Sequence, residues 1–314
     1  MDYFFLILGF IILLISGDLL VKSGVALSSH FRISTLVIGV TVISLGTSAP
    51  ELVVSISAAM KNHPDIAIGN VLGSNISNIA LVLGLTAIII KIPVSKTSVR
   101  FDYPYMMLAS FLFYLFAVNG RLSFVEGFIF FILLLGFIVW SVRQSRLELS
   151  RIMHIFDKAR YSLPVSILLL IVSSAGLYFG ATWLVDGAES IAIRFGVSER
   201  VISVTIIAFG TSVPELATSL TAAFKKQLDI SIGNIIGSNI FNILGILGVT
   251  SMIKSIPVSF EMRFDIHWML ALSLLLLVFM LPYGKAFLNR WKGSVLLLIY
   301  IMYLLIVFGT FSPA

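Results

Sequence analysis

The chain contains no cysteine and few charged residues. Without a cysteine among its 314 residues, the protein can form neither a disulfide nor a thiolate metal site. Asp, Glu, Lys and Arg make up only 11% of the sequence, whereas 59% is hydrophobic, and the mean hydropathy is +1.07. A water-soluble protein of this size could not bury that much apolar surface. The composition therefore predicts an all-α polytopic membrane protein.

Ten apolar runs approach or exceed the length of about 20 residues that spans a bilayer as a helix. They cover residues 3–27, 36–60, 66–90, 103–119, 122–142, 163–191, 200–224, 230–254, 263–283 and 291–311. Residues 1–30 lack the basic n-region and the cleavage site of a signal peptide. We therefore interpret them as the first membrane helix.

Basic residues are distributed unevenly between the two sides of this ten-span arrangement. Fourteen of the 21 Lys and Arg residues fall on one side and six on the other, with Lys22 inside the first span. Because positive residues accumulate on the cytoplasmic side, we expect both termini outside and the 143–162 loop in the cytoplasm. The net charge of +6 then reports topology rather than nucleic-acid binding. The lack of a large cytosolic domain favours a prokaryotic cell membrane.

Two polar motifs each occur twice within the apolar runs. GTSAPEL at 46–52 corresponds to GTSVPEL at 210–216, and GNVLGSNISNI at 69–79 corresponds to GNIIGSNIFNI at 233–243. Both pairs are 164 residues apart (210 − 46 and 233 − 69). Because each half contains five spans, the halves insert with opposite orientations, as in inverted-repeat transporters with a midplane site. We predict a first five-helix repeat at 1–142 (motif region 36–90), a cytoplasmic linker at 143–162 and a second five-helix repeat at 163–314 (motif region 200–254).

The first motif places a glutamate in the hydrocarbon beside a break in its helix. A charged side chain there costs roughly 2.5–3.5 kcal/mol even on the lenient insertion scale. Pro50 has no N–H for the carbonyl of Gly46, so we expect the helix to break and leave carbonyls that need a cavity or a ligand. Glu51 and the hydroxyls of Thr47 and Ser48 lie beside this break. The second half repeats the arrangement with Gly210, Thr211, Ser212, Pro214 and Glu215.

The second motif combines small residues with further oxygen ligands. Its glycines are spaced four apart, at 69 and 73 and at 233 and 237, which allows helices to approach closely. Its candidate ligands lie one helical turn apart, as Ser74 and Asn78 and as Ser238 and Asn242. All candidate ligands in both motifs are oxygens. Such a set suits a hard cation, either sodium or calcium.

Charge balance favours exchange over uniport. Two ionised glutamates balance one divalent ion, although protons or several monovalent ions could also compensate them. An empty, fully charged cavity would be costly to enclose in the membrane. The carrier is therefore expected to switch sides mainly when it is loaded, which is the behaviour of an antiporter.

The paired motifs resemble the alpha repeats of the calcium/cation antiporter superfamily, most closely its sodium/calcium exchanger branch. The resemblance implies ten helices in two inverted halves, with alternating access by sliding of the first and sixth helices. It implies sodium and calcium as substrates, without a cofactor. By this resemblance, the ion ligands are Thr47, Ser48, Glu51, Ser74 and Asn78, together with the Ala208 carbonyl, Thr211, Ser212, Glu215, Ser238 and Asn242.

The chain departs from the family pattern at one position. Many sodium/calcium exchangers have an aspartate where this chain has Asn242, so the site loses a possible third negative charge. The proton-coupled branch typically has a glutamate where this chain has Gly73 and Gly237. We therefore expect a sodium-coupled calcium antiporter, with proton or potassium coupling as the alternative.

Other functions have less support in the sequence. A cation channel could use the same glutamates, but inverted repeats and charge-balanced occupancy favour a carrier. An intramembrane enzyme would need a His-Glu-x-x-His motif, paired catalytic aspartates or a Gly-x-Ser-x-Gly elbow, and none occurs. No obligate protein partner is indicated besides the lipid bilayer. Asp18 and Lys22 are expected to form a local ion pair, and Asp186 and Glu189 could guide cations toward the site.

Overall fold

The computed structural model describes residues 2–151, 159–195, 210–281 and 287–310, which are almost entirely helical. Apolar periodicity and length make these segments helices, and Pro93, Gly120 and Pro257 lie in three of the connections between them. In chain order the helices are α1 (Asp2–Phe31), α2 (Thr35–Thr47), α3 (Ala49–Met60), α4 (Pro64–Ile89), α5 (Tyr103–Ala117), α6 (Phe124–Arg151), α7 (Leu163–Arg194), α8 (Val213–Phe224), α9 (Leu228–Ile253), α10 (Met262–Met280) and α11 (Arg290–Thr310).

Seven helices in the described part of the chain are long and apolar enough to cross a membrane, and the bent pair α2 and α3 makes an eighth candidate. The predicted span at 103–119 corresponds to α5, a helix of 15 residues. The predicted span at 200–224 extends into residues outside the described ranges. An all-helical membrane protein is thus confirmed, while the count of ten spans stays a prediction.

Two very short sheets join the two halves of the chain. The strand β1 (Ile92–Pro93) pairs antiparallel with β4 (Phe287–Leu288). The strand β2 (Arg121–Leu122) pairs antiparallel with β3 (Ile256–Pro257). Each sheet therefore takes one strand from each half. Two-residue strands have too little alternation to be predicted from the sequence.

The helices that carry the second motif form the centre of the molecule. Within their apolar windows, 78% of the residues of α4 and 89% of those of α9 are buried, against 33% for α1 and 22% for α7. Their aliphatic side chains pack in one continuous core. Helices with so little burial expose apolar side chains to the outside, as lipid-facing helices do. The repeated polar residues thus lie on the most enclosed helices.

A close helix crossing fixes α9 against α2. A Cβ atom on Gly237 would lie 2.3 Å from the Val40 carbonyl oxygen, and one on Gly233 would lie 2.7 Å from the Leu36 carbonyl oxygen. These glycines therefore allow the backbones to touch, as predicted for this pair. Among the described residues, no atom comes within 4 Å of a Cβ on Gly69. The segment equivalent to α2, residues 199–211, lies largely outside the described ranges.

We expect Gly237→Ala to destabilise the protein, because the added methyl group would collide with the backbone of α2. Overpacking of this kind typically costs about 1–3 kcal/mol. Thermal unfolding of the purified protein, followed by fluorescence-detected size exclusion, should show a lower midpoint. The matched control is Gly136→Ala in α6, where no neighbouring atom lies within 4 Å. An equal effect of the two substitutions would contradict the close crossing.

Candidate ion-binding site

The expected helix break in the first motif is present, and it lies at Ser48. Helices α2 and α3 meet there at a bend of 46°, and Ser48 has non-helical angles (φ −92°, ψ 6°). Pro50 lies in the first turn of α3, where a missing N–H costs little. Gly46 itself remains within α2. Ser212 has nearly the same angles (φ −97°, ψ 1°) before α8, so the two halves build the same turn.

This turn places both glutamates at helix N-termini. Glu51 is in the first turn of α3 and Glu215 is in the first turn of α8. The side chains are only 2% and 1% exposed, respectively. The partial positive charge and the free N–H groups of a helix N-terminus favour a carboxylate there. The fold thus offsets part of the cost of burying two acidic groups.

The two glutamates come from opposite halves and meet in one polar cluster. The Ser48 hydroxyl donates a hydrogen bond of 3.0 Å to Oε1 of Glu215. Ser48 is three residues before Glu51 and directly precedes α3, so this hydrogen bond links the start of α3 to Glu215. The Thr47 hydroxyl lies 3.4 Å from the Ser238 hydroxyl. Residues separated by more than 160 positions are thereby brought together, as the repeat predicts.

Paired asparagines orient the amides of Asn78 and Asn242. Nδ2 of Asn78 donates to Oδ1 of Asn239 at 3.3 Å, and Nδ2 of Asn242 donates to Oδ1 of Asn75 at 3.0 Å. Because the nitrogens are engaged, the Oδ1 atoms are left as acceptors, and both are buried without a partner. The sequence analysis did not select Asn75 and Asn239. Their repetition in the two motifs was the available signal.

Local π-helical geometry also marks these amides. The α4 helix changes to π geometry over Asn78–Val82, and α9 does so over Phe241–Leu247. A π turn widens the helix and re-aims side chains, and such turns are frequent at functional sites. The change begins at Asn78 in one half and includes Asn242 in the other. The backbone of both helices is therefore irregular where the repeated amides lie.

A second layer of hydrogen bonds supports the helix breaks. Nδ2 of Asn70 donates to the Glu51 carbonyl at 3.1 Å and to the Ser55 hydroxyl at 2.9 Å. In the other half, Nδ2 of Asn234 donates to the Ser219 hydroxyl at 3.1 Å. Oδ1 of Asn234 accepts a hydrogen bond of 3.1 Å from Thr47. These contacts tie each broken helix to the neighbouring motif helix.

The structure brings together nine of the eleven candidate ligands as buried residues. They are Thr47, Ser48, Glu51, Ser74, Asn78, Ser212, Glu215, Ser238 and Asn242, each no more than 2% exposed. Thr211 is half-buried, and Ala208 lies outside the described residues. Ser212 also contacts the Ser77 hydroxyl, a group that the sequence analysis did not select.

Several oxygens in this cluster have no hydrogen-bond partner among the described residues. They are both carboxylate oxygens of Glu51, Oε2 of Glu215, Oγ of Ser74, and Oδ1 of Asn78 and Asn242. Buried oxygens without partners are costly, so such a group usually serves a ligand. The described residues include no cluster of three or more His, Cys, Asp or Glu that could hold a metal. The arrangement suits one hard cation held by two carboxylates and neutral oxygens.

A cavity of about 240 Å³ reaches the cluster from one side. Glu51, Asn70 and Thr211 line it, and Asp186 of α7 lies along the same wall. An acidic side chain on this wall can raise the local cation concentration. The position of Asp186 thus agrees with the guiding role considered from the sequence.

Comparison with known proteins identifies the family of the chain. The family model described as sodium/calcium exchanger protein matches residues 1–143 and 165–309. The putative antiporter CaxA of Alkalimonas amylolytica is 37% identical over 314 residues, with 98% of each chain covered. The sodium/calcium exchanger MaX1 of Methanosarcina acetivorans is 29% identical over 349 residues, also with 98% of each chain covered.

The fold is also similar to a solved structure. A structure of the sodium-calcium exchanger NCX_Mj, soaked with Na⁺ and Sr²⁺, matches with a TM-score of 0.82 and 34% sequence identity. The match covers 96% of each chain. The chain belongs to the sodium/calcium exchanger family.

Proposed function

We propose that the protein is a sodium-coupled calcium antiporter of the prokaryotic cell membrane. The observation that carries the proposal is the cluster of buried oxygens without partners, which includes a glutamate from each half. Calcium takes six to eight oxygen ligands, and this cluster offers carboxylates, hydroxyls and amide oxygens. The names of the relatives CaxA, MaX1 and NCX_Mj agree with antiport of these ions.

The proposed ligand set retains all the residues inferred from the sequence. It comprises Thr47, Ser48, Glu51, Ser74, Asn78, the Ala208 carbonyl, Thr211, Ser212, Glu215, Ser238 and Asn242. Calcium neutralises both carboxylates when it occupies the site. Sodium ions would occupy overlapping oxygens and neutralise the same charges in the other half of the cycle. Because the empty site has two buried negative charges, it resists enclosure, and the two ions must alternate.

In this proposal, ions reach the cluster from one side of the membrane at a time. With the topology predicted from the basic residues, the cavity beside Glu51 and Asp186 opens outward. On the cytoplasmic side, Asp18 of α1 binds Lys22 at 2.5 Å and also contacts Lys225 at the end of α8. The Asp18–Lys22 ion pair expected from the sequence is therefore present, and the contact with Lys225 joins α1 to α8. The structure then corresponds to an outward-open state.

Helices α1 and α7 are the proposed moving parts. They pack along each other through small residues: a Cβ on Gly9 would lie 2.5 Å from the Leu184 nitrogen, and one on Gly187 would lie 2.7 Å from the Leu6 nitrogen. Both helices are mostly exposed to the outside. Two helices that pack more against each other than against the core can slide together as one body, which is a shear motion.

We expect Glu51→Gln and Glu215→Gln to abolish calcium uptake, because each removes a charge that balances the ion. Liposomes containing the purified protein are loaded with sodium, and ⁴⁵Ca²⁺ uptake is measured after dilution into choline. Each substitution should lower the initial rate at least about 100-fold. The control is Asp65→Asn, which removes an exposed carboxylate in the first turn of α4 and should leave uptake unchanged.

The same liposomes distinguish the coupling ion. Potassium and pH gradients are imposed separately while sodium is absent on both sides. Uptake that requires the sodium gradient supports the proposal. Uptake driven equally well by a proton or potassium gradient, or flux that needs no counter-ion, would show another antiporter or a channel instead.

We expect Asn75→Ala to weaken calcium binding without disturbing the glutamates, because the Asn242 amide loses the acceptor that fixes its orientation. Loss of such an outer partner typically costs 10–100-fold in metal affinity. The KM for calcium in the liposome assay should therefore rise about 10-fold. Thr86→Ala serves as the control, since that buried hydroxyl bonds only to its own helix, at the Val82 carbonyl. An unchanged KM in Asn75→Ala would refute the positioning role.

A further inference from the structure

A second polar cavity lies away from the ion cluster, with no lining residue in common with the cavity beside Glu51. It has a volume of about 160 Å³ and lies between the start of α2, the segment before α5, the last third of α6 and the start of α9. Three acidic residues line it, Asp102, Glu148 and Asp229, and no Lys, Arg or His among the described residues does. By the predicted topology, this cavity is at the cytoplasmic end.

Two buried polar atoms in the cavity wall have no hydrogen-bond partner within the part of the chain that the structure describes. Asp102 is 2% exposed and its Oδ2 atom is unpaired, while Ser141 is 3% exposed and its Oγ atom is unpaired. Glu148 is half-buried and accepts a hydrogen bond of 3.5 Å from Gln144. Asp229 is exposed at the rim. The ion pairs found among the described residues involve none of these three carboxylates.

The other half of the chain contains a satisfied counterpart of Asp102. The sequence Arg100-Phe101-Asp102 recurs as Arg263-Phe264-Asp265. Oδ1 of Asp265 accepts a hydrogen bond of 2.7 Å from the Tyr303 hydroxyl of α11. Tyr303 follows Asp265 by 38 residues. At the same spacing after Asp102, α6 has Trp140, which is followed by the smaller Ser141. The first half thus has no tyrosine hydroxyl at the sequence spacing where the second half supplies one.

We propose that this cavity is a second cation-binding site, which holds a partly hydrated divalent cation against Asp102. Direct coordination by all three carboxylates is ruled out by their spacing, because the described residues contain no acidic group of three that could hold one ion. A single water needs only about 10–15 Å³ of such internal space, so the cavity accommodates an ion with several waters. Magnesium in particular keeps its waters and binds through one or two carboxylates.

The three acidic residues of the cavity come from separate parts of the fold. Asp102 precedes α5, Glu148 is on the lipid-exposed helix α6, and Asp229 begins the central helix α9. A cation there holds the cytoplasmic end of α6 to the core. Because it lies on the predicted cytoplasmic side, it responds to divalent cations in the cell rather than to those being carried. The site does not depend on the proposed transport activity.

The test uses the full-length protein in nanodiscs with Glu51→Gln and Glu215→Gln, so that the proposed transport site no longer contributes. Thermal unfolding is followed while MgCl₂ or CaCl₂ is titrated, with choline chloride holding the ionic strength constant. Binding to the folded state raises the unfolding midpoint in a saturable way. We expect Asp102→Asn to weaken the apparent affinity at least about 10-fold. Asp265→Asn is the matched control and should leave it unchanged.

Two results would overturn the proposal. One is the absence of any saturable midpoint shift with either cation in the parent protein. The other is the same apparent affinity after Asp102→Asn as before. If that variant does not fold, Glu148→Gln decides, because Glu148 is half-buried at the wall and its removal should also weaken binding. Calcium uptake by the unmodified protein is measured separately, so a failure of antiport is distinguished from a failure of this site.

Discussion

The structure depends on the placement of two carboxylates within a helical membrane protein. Hydrocarbon does not solvate a charge, so each glutamate needs substitutes for water. The fold supplies them by breaking a helix before each acid, which turns the free N–H groups and the dipole of a new helix toward it. Ser48 of one half adds a hydroxyl to Glu215 of the other. The site is thus assembled from complementary parts rather than from one segment.

The residues around the glutamates also depend on contacts between the two halves. The asparagines 75, 78, 239 and 242 exchange hydrogen bonds across the two halves, so the amide oxygens are fixed by residues of the opposite repeat. These asparagines lie on the buried helices α4 and α9. The glycines of α9 allow it to contact α2 directly. The centre is densely packed, whereas helices α1 and α7 at the side are mostly exposed.

Much of this organisation could be predicted from the sequence, because the relevant signals are local. Apolar run length identified the membrane helices, and the proline at 50 together with the glycine at 46 located the first helix break to within two residues. The repeat placed the two glutamates opposite each other. Orientation of the Asn75 amide and pairing of the two-residue strands could not be predicted, since both depend on contacts between residues of opposite halves that are far apart in the sequence. The cavity beside Asp102 could not be predicted either, because its wall combines residues from four separate segments of the chain.

The paired strands have a consequence for the origin of this architecture. Each sheet needs one strand from either half, and each half contains one of the two acidic groups and one of the two unpaired amides. A half-length chain would therefore be incomplete at its centre and at both membrane faces. A shorter ancestor could have formed the same cage only as a pair of identical subunits inserted into the bilayer in opposite orientations. After a gene fusion, the two copies would have diverged independently. The different surroundings of Asp102 and Asp265 are an example.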